Sequence, residues 1–261
     1  MGRVISILNE KGGVGKTTTV IESAFHAGSG LKLKCLVVDL DPQANATTML
    51  TGGQEHKLGA FDLLTDGSFK TSPFTALQPA IEEWVNVCVL PADRRLGSIE
   101  VHLQARINRD NILKRILEPL KAYFDLILID LPPTVNALTV NALAASDGYL
   151  VPTDLSQYSR AAIRTIQDLV NLVKSNGINA NLEFMGVVVT SFQKGGSIAV
   201  RQLIDDLTEE YKERLIPTRI PDSVKVTEAQ LKKKPVGLID PDGAVSIAYR
   251  ELSRRLMGEL K

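Results

Sequence analysis

Three short runs carry side chains whose types and spacing could handle phosphate. The first is Asn9-Glu10-Lys11-Gly12-Gly13-Val14-Gly15-Lys16-Thr17-Thr18, directly after the apolar run 4–8. Glycines let the backbone curl until successive N–H groups point inward at anionic oxygens, and a helix opening at Thr17 adds its partial positive charge. In such a phosphate loop Lys16 reaches the β- and γ-phosphates, and the Thr17 hydroxyl is placed to ligate Mg²⁺. One position departs from the usual G-x-x-x-x-G-K-[ST] pattern, because Glu10 stands where the first glycine belongs. A second lysine, Lys11, comes next.

The other two runs are acidic strand ends. Leu36-Val37-Val38-Asp39-Leu40-Asp41-Pro42 closes an apolar strand with two carboxylates spaced i, i+2. They point the same way if strand geometry persists, and Pro42 then stops the strand. The plain alternative is a solvated strand end with an aspartate helix cap. Leu126-Ile127-Leu128-Ile129-Asp130 is an apolar strand ending in one aspartate, the arrangement that holds Mg²⁺ directly or through water. Many buried strands end in Asp, and the pattern gains specificity only beside a phosphate loop.

Positioning these groups requires strands that deliver them to one edge of a sheet. Strand-like runs fall at 4–8, 33–38, 85–90, 126–129, 149–151, 184–189 and, briefly, 219–220. Helical patterns fall near 17–27, 44–50, 95–106, 109–122, 136–146, 159–175, 198–212, 223–231 and 244–257. Strands apolar at nearly every position are covered on both faces. Their alternation with helices predicts an α/β fold, a mainly parallel sheet flanked by helices on both faces. Right-handed crossovers then gather the chemical loops at the strands' C-terminal ends. With no repeat and no linker, residues 1–261 read as a single domain. The least regular part is 52–79, rich in Gly, Thr, Ser and Pro, where a surface excursion with a helical turn near 58–64 is expected.

Composition bounds the partners. Of 261 residues, 44% are hydrophobic and 23% charged, with zero formal net charge, so no global basic field draws the chain to nucleic acid. Cys35 and Cys88 lie in apolar strand-like runs and read as buried core residues in a reducing compartment. The chain enters its first strand at once, leaving no room for a signal peptide, and no apolar stretch approaches the roughly 18 residues of a membrane span. A cytoplasmic protein is expected.

The run Lys-Gly-Gly-Val-Gly-Lys-Thr-Thr from Lys11 to Thr18 resembles the deviant Walker A motif of the ParA/MinD family of P-loop ATPases. Asp-Leu-Asp-Pro-Gln-Ala-Asn-Ala-Thr, from Asp39, is similar to that family's switch I segment, and Asp130-Leu131-Pro132-Pro133-Thr134 resembles its switch II. The resemblance runs from Arg3 to about Leu256 and is nearest to short ParA/Soj-type partition or cargo-positioning ATPases. It implies a single-domain P-loop NTPase with ATP and Mg²⁺ as cofactors. Nucleotide would be bound by Lys11, Gly12, Gly13, Val14, Gly15, Lys16, Thr17 and Thr18, and Mg²⁺ by Thr17, Asp39 and Asp130. Catalysis would rest on Lys16, on Asp41 orienting the attacking water, and on Lys11, the signature lysine that reaches a partner subunit's phosphates. A homodimer sandwiching ATP follows, and no arginine finger in cis is identifiable, so slow unstimulated turnover is expected.

The resemblance also implies binding to nonspecific double-stranded DNA, a nucleoid location, and hydrolysis stimulated by a cargo-bound, ParB-like adaptor. The cargo, whether plasmid, chromosome or protein compartment, stays open. The C-terminal third departs from the family. Relatives carry an Asp-x-Arg-Thr-type segment where this chain has Phe192-Gln193-Lys194-Gly195-Gly196, and Pro221-Asp222-Ser223-Val224-Lys225 replaces Pro-Arg-Asn-Val-Arg. Pro221 and Asp222 remain candidates for an adenine wall. DNA contacts must come from a local patch, and 212–234 holds seven basic against three acidic residues. Lys225, Lys232, Lys233 and Lys234 are its candidate contacts, with Lys194 and Arg201 next.

Two other readings are weighed. A MinD-like, membrane-cycling division-site regulator would use an amphipathic tail, and the last helix has an apolar stripe of Val245, Ala248, Leu252 and Leu256 opposite Arg250, Arg254 and Arg255. The helix starts straight after the turn Asp240-Pro241-Asp242-Gly243 with no flexible spacer. Core packing is therefore the expected role of the stripe, and no stable membrane association is expected. An iron–sulfur donor of the nitrogenase iron-protein type would need cysteines at loop ends, whereas Cys35 and Cys88 fall inside strands.

Overall fold

Strands that are apolar at every position have no face to offer water, and the chain stacks them side by side in one sheet. The computed structural model describes residues 2–66, 70–193 and 197–259. Its strands are β1 (Arg3–Ile7), β2 (Cys35–Asp39), β3 (Gln78–Pro79), β4 (Val87–Leu90), β5 (Leu126–Asp130), β6 (Gly148–Thr153) and β7 (Glu183–Val189). They form one seven-stranded sheet in the order β3-β4-β2-β5-β1-β6-β7. Every pairing is parallel except that of β3 with β4.

The helices in chain order are α1 (Lys16–Phe25), α2 (Asn45–Thr51), α3 (Ala60–Thr65), α4 (Ile99–Gln104), α5 (Ile112–Leu117) and α6 (Ala137–Ala145). They continue with α7 (Ser159–Ser175), α8 (Ile198–Tyr211), α9 (Val224–Lys232), α10 (Val236–Ile239) and α11 (Ala244–Leu256). Alternate side chains of each strand enter opposite cores. Val4, Leu36, Val38, Ile127 and Ile129 pack with α3 to α8. Ile5, Ile7, Val37, Leu126 and Leu128 pack with α1, α2 and α9 to α11. Cys35 and Cys88 sit within β2 and β4, on opposite faces.

Several expectations change. The expected strand at 219–220 is absent: Phe192 and Pro221 make one isolated bridge, and Pro221 has no N–H to extend a ladder. The antiparallel edge strand β3 emerges inside the irregular segment 52–79. The helix expected over 109–122 is α-helical only in its middle and narrows to 3₁₀ turns at both ends, the second carrying Pro119. The helix expected over 95–106 likewise begins as a 3₁₀ turn. The short α10 had no counterpart in the sequence reading. Lys194 lies outside the described residues.

The apolar stripe of α11 is a core element. Val245, Ala248, Leu252 and Leu256 are at most 6% exposed and pack against the α1 side of the sheet. Among the described residues no helix is long and apolar enough to cross a membrane.

Candidate active site

The sheet order makes β2, β5 and β1 neighbours, so the loops that follow them open side by side at one edge. The register is tight: Asp130 pairs with Asp39 on one side and with Ile7 on the other. The three runs singled out in the sequence therefore converge.

The loop after β1 is held from several directions. Asn9 donates from its side chain to the Pro152 carbonyl at 2.8 Å and accepts from the Lys11 N–H at 3.0 Å. The Thr190 hydroxyl, just past β7, donates to the Val14 carbonyl at 2.9 Å. Gly13 and Gly15 both adopt φ 77°, left-handed backbone that glycine enters at no steric cost. Gly15 caps α1 without a side-chain partner, leaving the first N–H groups of that helix free for an anion. A Cβ placed on Gly12 or Gly13 would meet no atom within 4 Å, so open space lies over the loop where phosphate oxygens would rest.

That space belongs to a cavity of about 620 Å³. Gly12, Gly13, Lys16, Thr17, Thr18 and Asp41 form its phosphate side, and Asn45, Thr48 and Met49 of α2 form a second wall. Gln230 and Lys233, at the end of α9, close a third.

Charge in the site is unbalanced. Asp39 and Asp130 are fully buried, and Lys16 and Asp41 nearly so. Burial pushes the Asp130 carboxyl well above the usual carboxylate range and the Asp39 charge pushes it further, while the facing Thr17 hydroxyl and the Lys16 ammonium offset part of this. Neither Asp130 oxygen has a hydrogen-bond partner of normal geometry among the described residues. Burial lowers the Lys16 ammonium, against the opposing pull of Asp130 and Asp41, and the ammonium donates to the Lys11 carbonyl at 2.9 Å. A buried carboxyl with two orphaned oxygens beside other acids fits a cation. Among the described residues no three His, Cys, Asp or Glu side chains stand at metal-ligand spacing.

Asp39 and Asp41 differ in what they do. Asp39 accepts from the Thr47 N–H at 2.8 Å, the Thr47 hydroxyl at 2.7 Å and the Asp41 N–H at 3.0 Å. Both of its oxygens are thereby engaged, which anchors the start of α2, although burial still raises its carboxyl. Asp41 faces the cavity, and one oxygen accepts from the Gln43 N–H at 2.9 Å.

Lys11 turns toward its own chain. Its ammonium is bonded to the Asp154 carboxylate and to the Ser156 hydroxyl, the latter at 2.7 Å, on the loop after β6. Pro221 and Asp222 do not line the cavity. They sit beyond the end of β7, where Phe192 accepts from the Asp222 N–H at 3.0 Å. The four candidate DNA lysines are dispersed: Lys225 and Lys232 flank Glu228 at 2.8 and 2.6 Å, and Lys234 pairs with Glu83 at 3.3 Å. Lys233 is the one of the four that lines the cavity, with its ammonium donating to the Gly52 carbonyl. Thr47, Asp154 and Gln230 stand at the site without having been singled out in the sequence, whereas Lys233 was named there as a DNA contact. Only Asp154 carried a signal, as the acid directly after the strand that includes 149–151.

Known proteins are similar to this chain in sequence and in fold. A family profile described as an AAA domain matches residues 2–184. The sporulation initiation inhibitor protein Soj of Bacillus subtilis is 33% identical over 258 residues, covering 98% of each chain. The chromosome partitioning protein ParA of Myxococcus xanthus is 34% identical over 259 residues, covering 98% of this chain and 88% of the relative. Among solved structures, cobyrinic acid a,c-diamide synthase from Mycobacterium smegmatis with bound ADP and magnesium superposes with a TM-score of 0.83 at 27% identity, covering 100% of this chain and 98% of that one. Near-complete coverage at this identity, together with the phosphate loop and its two acidic strand ends, places the chain in the ParA/MinD family of P-loop ATPases.

Proposed function

We propose that the chain is a ParA-type ATPase that dimerises on ATP, binds DNA without sequence preference and positions a plasmid, chromosome or other large cargo. The observation that carries this reading is the convergence of Lys16, Thr17 and Asp41 on one cavity, with the orphaned Asp130 buried behind them beside Thr17 and Lys16. Kinship with Soj and ParA over nearly the whole chain supports the partition role.

The loop N–H groups and Lys16 would bind and orient the nucleotide phosphates. Mg²⁺ would be held by Thr17 and Asp130, where it would neutralise charge on the transferring phosphoryl group. Asp39 adds negative charge beside Asp130 and fixes α2 through Thr47. Asp41, free to face the cavity, orients the attacking water. Lys11 leaves Asp154 and crosses to the partner subunit's phosphates, which couples hydrolysis to dimerisation and leaves its rate open to a cargo-bound adaptor.

Measured Mg²⁺-dependent ATP turnover, with binding lost in Lys16→Gln, is the test. Unchanged ATP affinity of Lys16→Gln by calorimetry would overturn the phosphate-loop assignment.

A further inference from the structure

Lys233 stands in a run of three lysines whose ordinary use is an outward, solvated face. The fold turns it inward. Helix α9 ends at Lys232, and Lys233 caps it with φ 52°, a left-handed conformation that few non-glycine residues adopt. Its ammonium donates to the Gly52 carbonyl at 2.6 Å, at the C-terminal end of α2. Among the described residues it has no carboxylate partner, unlike Lys225, Lys232 and Lys234. The approach is close enough that a Cβ on Gly53, itself at φ 87°, would come within 3.0 Å of the ammonium.

Two neighbours make the same crossing. Gln230, one turn earlier in α9, donates to the Thr18 hydroxyl of α1 at 3.4 Å. The Val236 N–H, just past the lysine run, donates to the buried Glu22 carboxylate of α1 at 2.8 Å. The α9–α10 corner is thus tied to α1 at two points and to α2 at one.

Helix α2 consequently has an anchor at each end. Asp39 grips Thr47 near its start, and Lys233 grips Gly52 at its finish. The segment leading into α2 carries Asp41 and enters the helix through Ala44 at φ 53°. We infer that Lys233 is a positioning residue of the ATP site, strapping the end of α2 through Gly52 so that the Asp41 segment is held for hydrolysis. The role given to Asp41 rests on the ATPase reading; the strap itself rests only on the geometry.

Exchange and turnover are measured on the full chain without DNA, and duplex binding is measured separately over a salt series. Lys233→Met keeps the aliphatic stem and removes the donor, Lys233→Asn suits the left-handed backbone, and Lys233→Arg restores a charged donor. Removing a charge-assisted hydrogen bond from this position should speed amide exchange over 45–52 by about ten-fold in the nucleotide-free protein. The kcat for ATP hydrolysis should fall by a similar factor with KM within about two-fold in both Met and Asn variants, and Arg should recover part of each effect. Wild-type exchange and kcat in the Met and Asn variants would overturn the inference. So would a Met variant whose only change is a DNA-binding salt slope flatter by about 1, since Lys233 would then be a DNA phosphate contact. If the wild-type chain hydrolyses no ATP, the ATPase reading falls by itself, and exchange over 45–52 still decides for or against the strap.

Discussion

The Lys11 ammonium is ion-paired with Asp154 of its own chain, although it sits on the rim of the phosphate loop. Burial pushes the Asp154 carboxyl up, but the Lys11 ammonium and the Ser159 hydroxyl outweigh that and hold it below its ordinary range. Both side chains are about a quarter to a third exposed, so the pair competes only modestly with any other partner for Lys11. A partly exposed pair of this kind is worth about 1 kcal/mol, or roughly five-fold in an equilibrium. Asp154→Asn should therefore lower the ATP concentration needed for dimerisation by that order, measured by light scattering with Mg²⁺-ATP. An unchanged or weakened dimer would mean that Asp154 does not hold Lys11 back.

Asp41→Ala and Lys11→Ala should separate hydrolysis from assembly. Asp41 contributes to the cavity without anchoring α2 as Asp39 does, so its loss should leave ATP binding intact, cut turnover by about 10²-fold or more and let an ATP-loaded dimer accumulate. Lys11→Ala should bind ATP and fail to form a productive dimer. Size-exclusion chromatography with Mg²⁺-ATP, run beside turnover assays, reads both. Wild-type turnover in either variant would remove that residue from the mechanism.

Two buried groups in α1 and the turn after it give stability opposite pH dependences. Burial, partly offset by the Val236 and Gly237 N–H groups, pushes the Glu22 carboxyl up to about 7 from 4.5. Burial and the Arg250 charge push the His26 imidazole down to about 4 from 6.5. Between pH 4.5 and 7 the folded chain keeps the Glu22 proton that the unfolded chain releases, so stability falls as pH rises, by up to about 3 kcal/mol. Between pH 6.5 and 4 the unfolded chain gains the His26 proton that the folded chain refuses, so stability falls as pH drops. Near pH 5 to 6 the two slopes oppose each other. Glu22→Gln should leave the His26 slope alone, giving denaturation midpoints that rise steadily from pH 4 to 6.5 and a more stable protein at pH 8. A variant with the wild-type pH profile would exclude a protonated Glu22.

DNA binding, if carried by α9, falls to its outward lysines. Lys225 and Lys232 share Glu228, and each is about half exposed, so a DNA phosphate could displace the carboxylate at little cost. Replacing both with Ala should weaken ATP-dependent duplex binding at every sequence while sparing hydrolysis. The log–log salt slope should flatten by about 1 for every DNA phosphate that no longer meets a lysine. A double variant with an unchanged slope would put the surface elsewhere, with the exposed Arg201 of α8 the next to test.

The sequence by itself determined every strand but the short edge strand β3, together with the phosphate loop and the two acidic strand ends, and it overread a strand at 219–220. These signals are local: a glycine run must curl, a wholly apolar strand must be covered, and an acid at its end must meet whatever follows. It also determined the type of sheet, because helices between the strands leave parallel pairing as the short route. Only the tertiary structure decided which groups face one another. Strand order is a matter of long-range pairing, and it alone set Asp39 against Asp130 in register. Lysines show the limit most clearly. Lys232, Lys233 and Lys234 are alike in the sequence, yet a left-handed cap at Lys233 sends its neighbours to glutamates and Lys233 itself to the Gly52 carbonyl. Lys11 likewise carries a family motif in its spacing, but its present partner, Asp154, lies 143 residues away and is brought near because β6 pairs with β1.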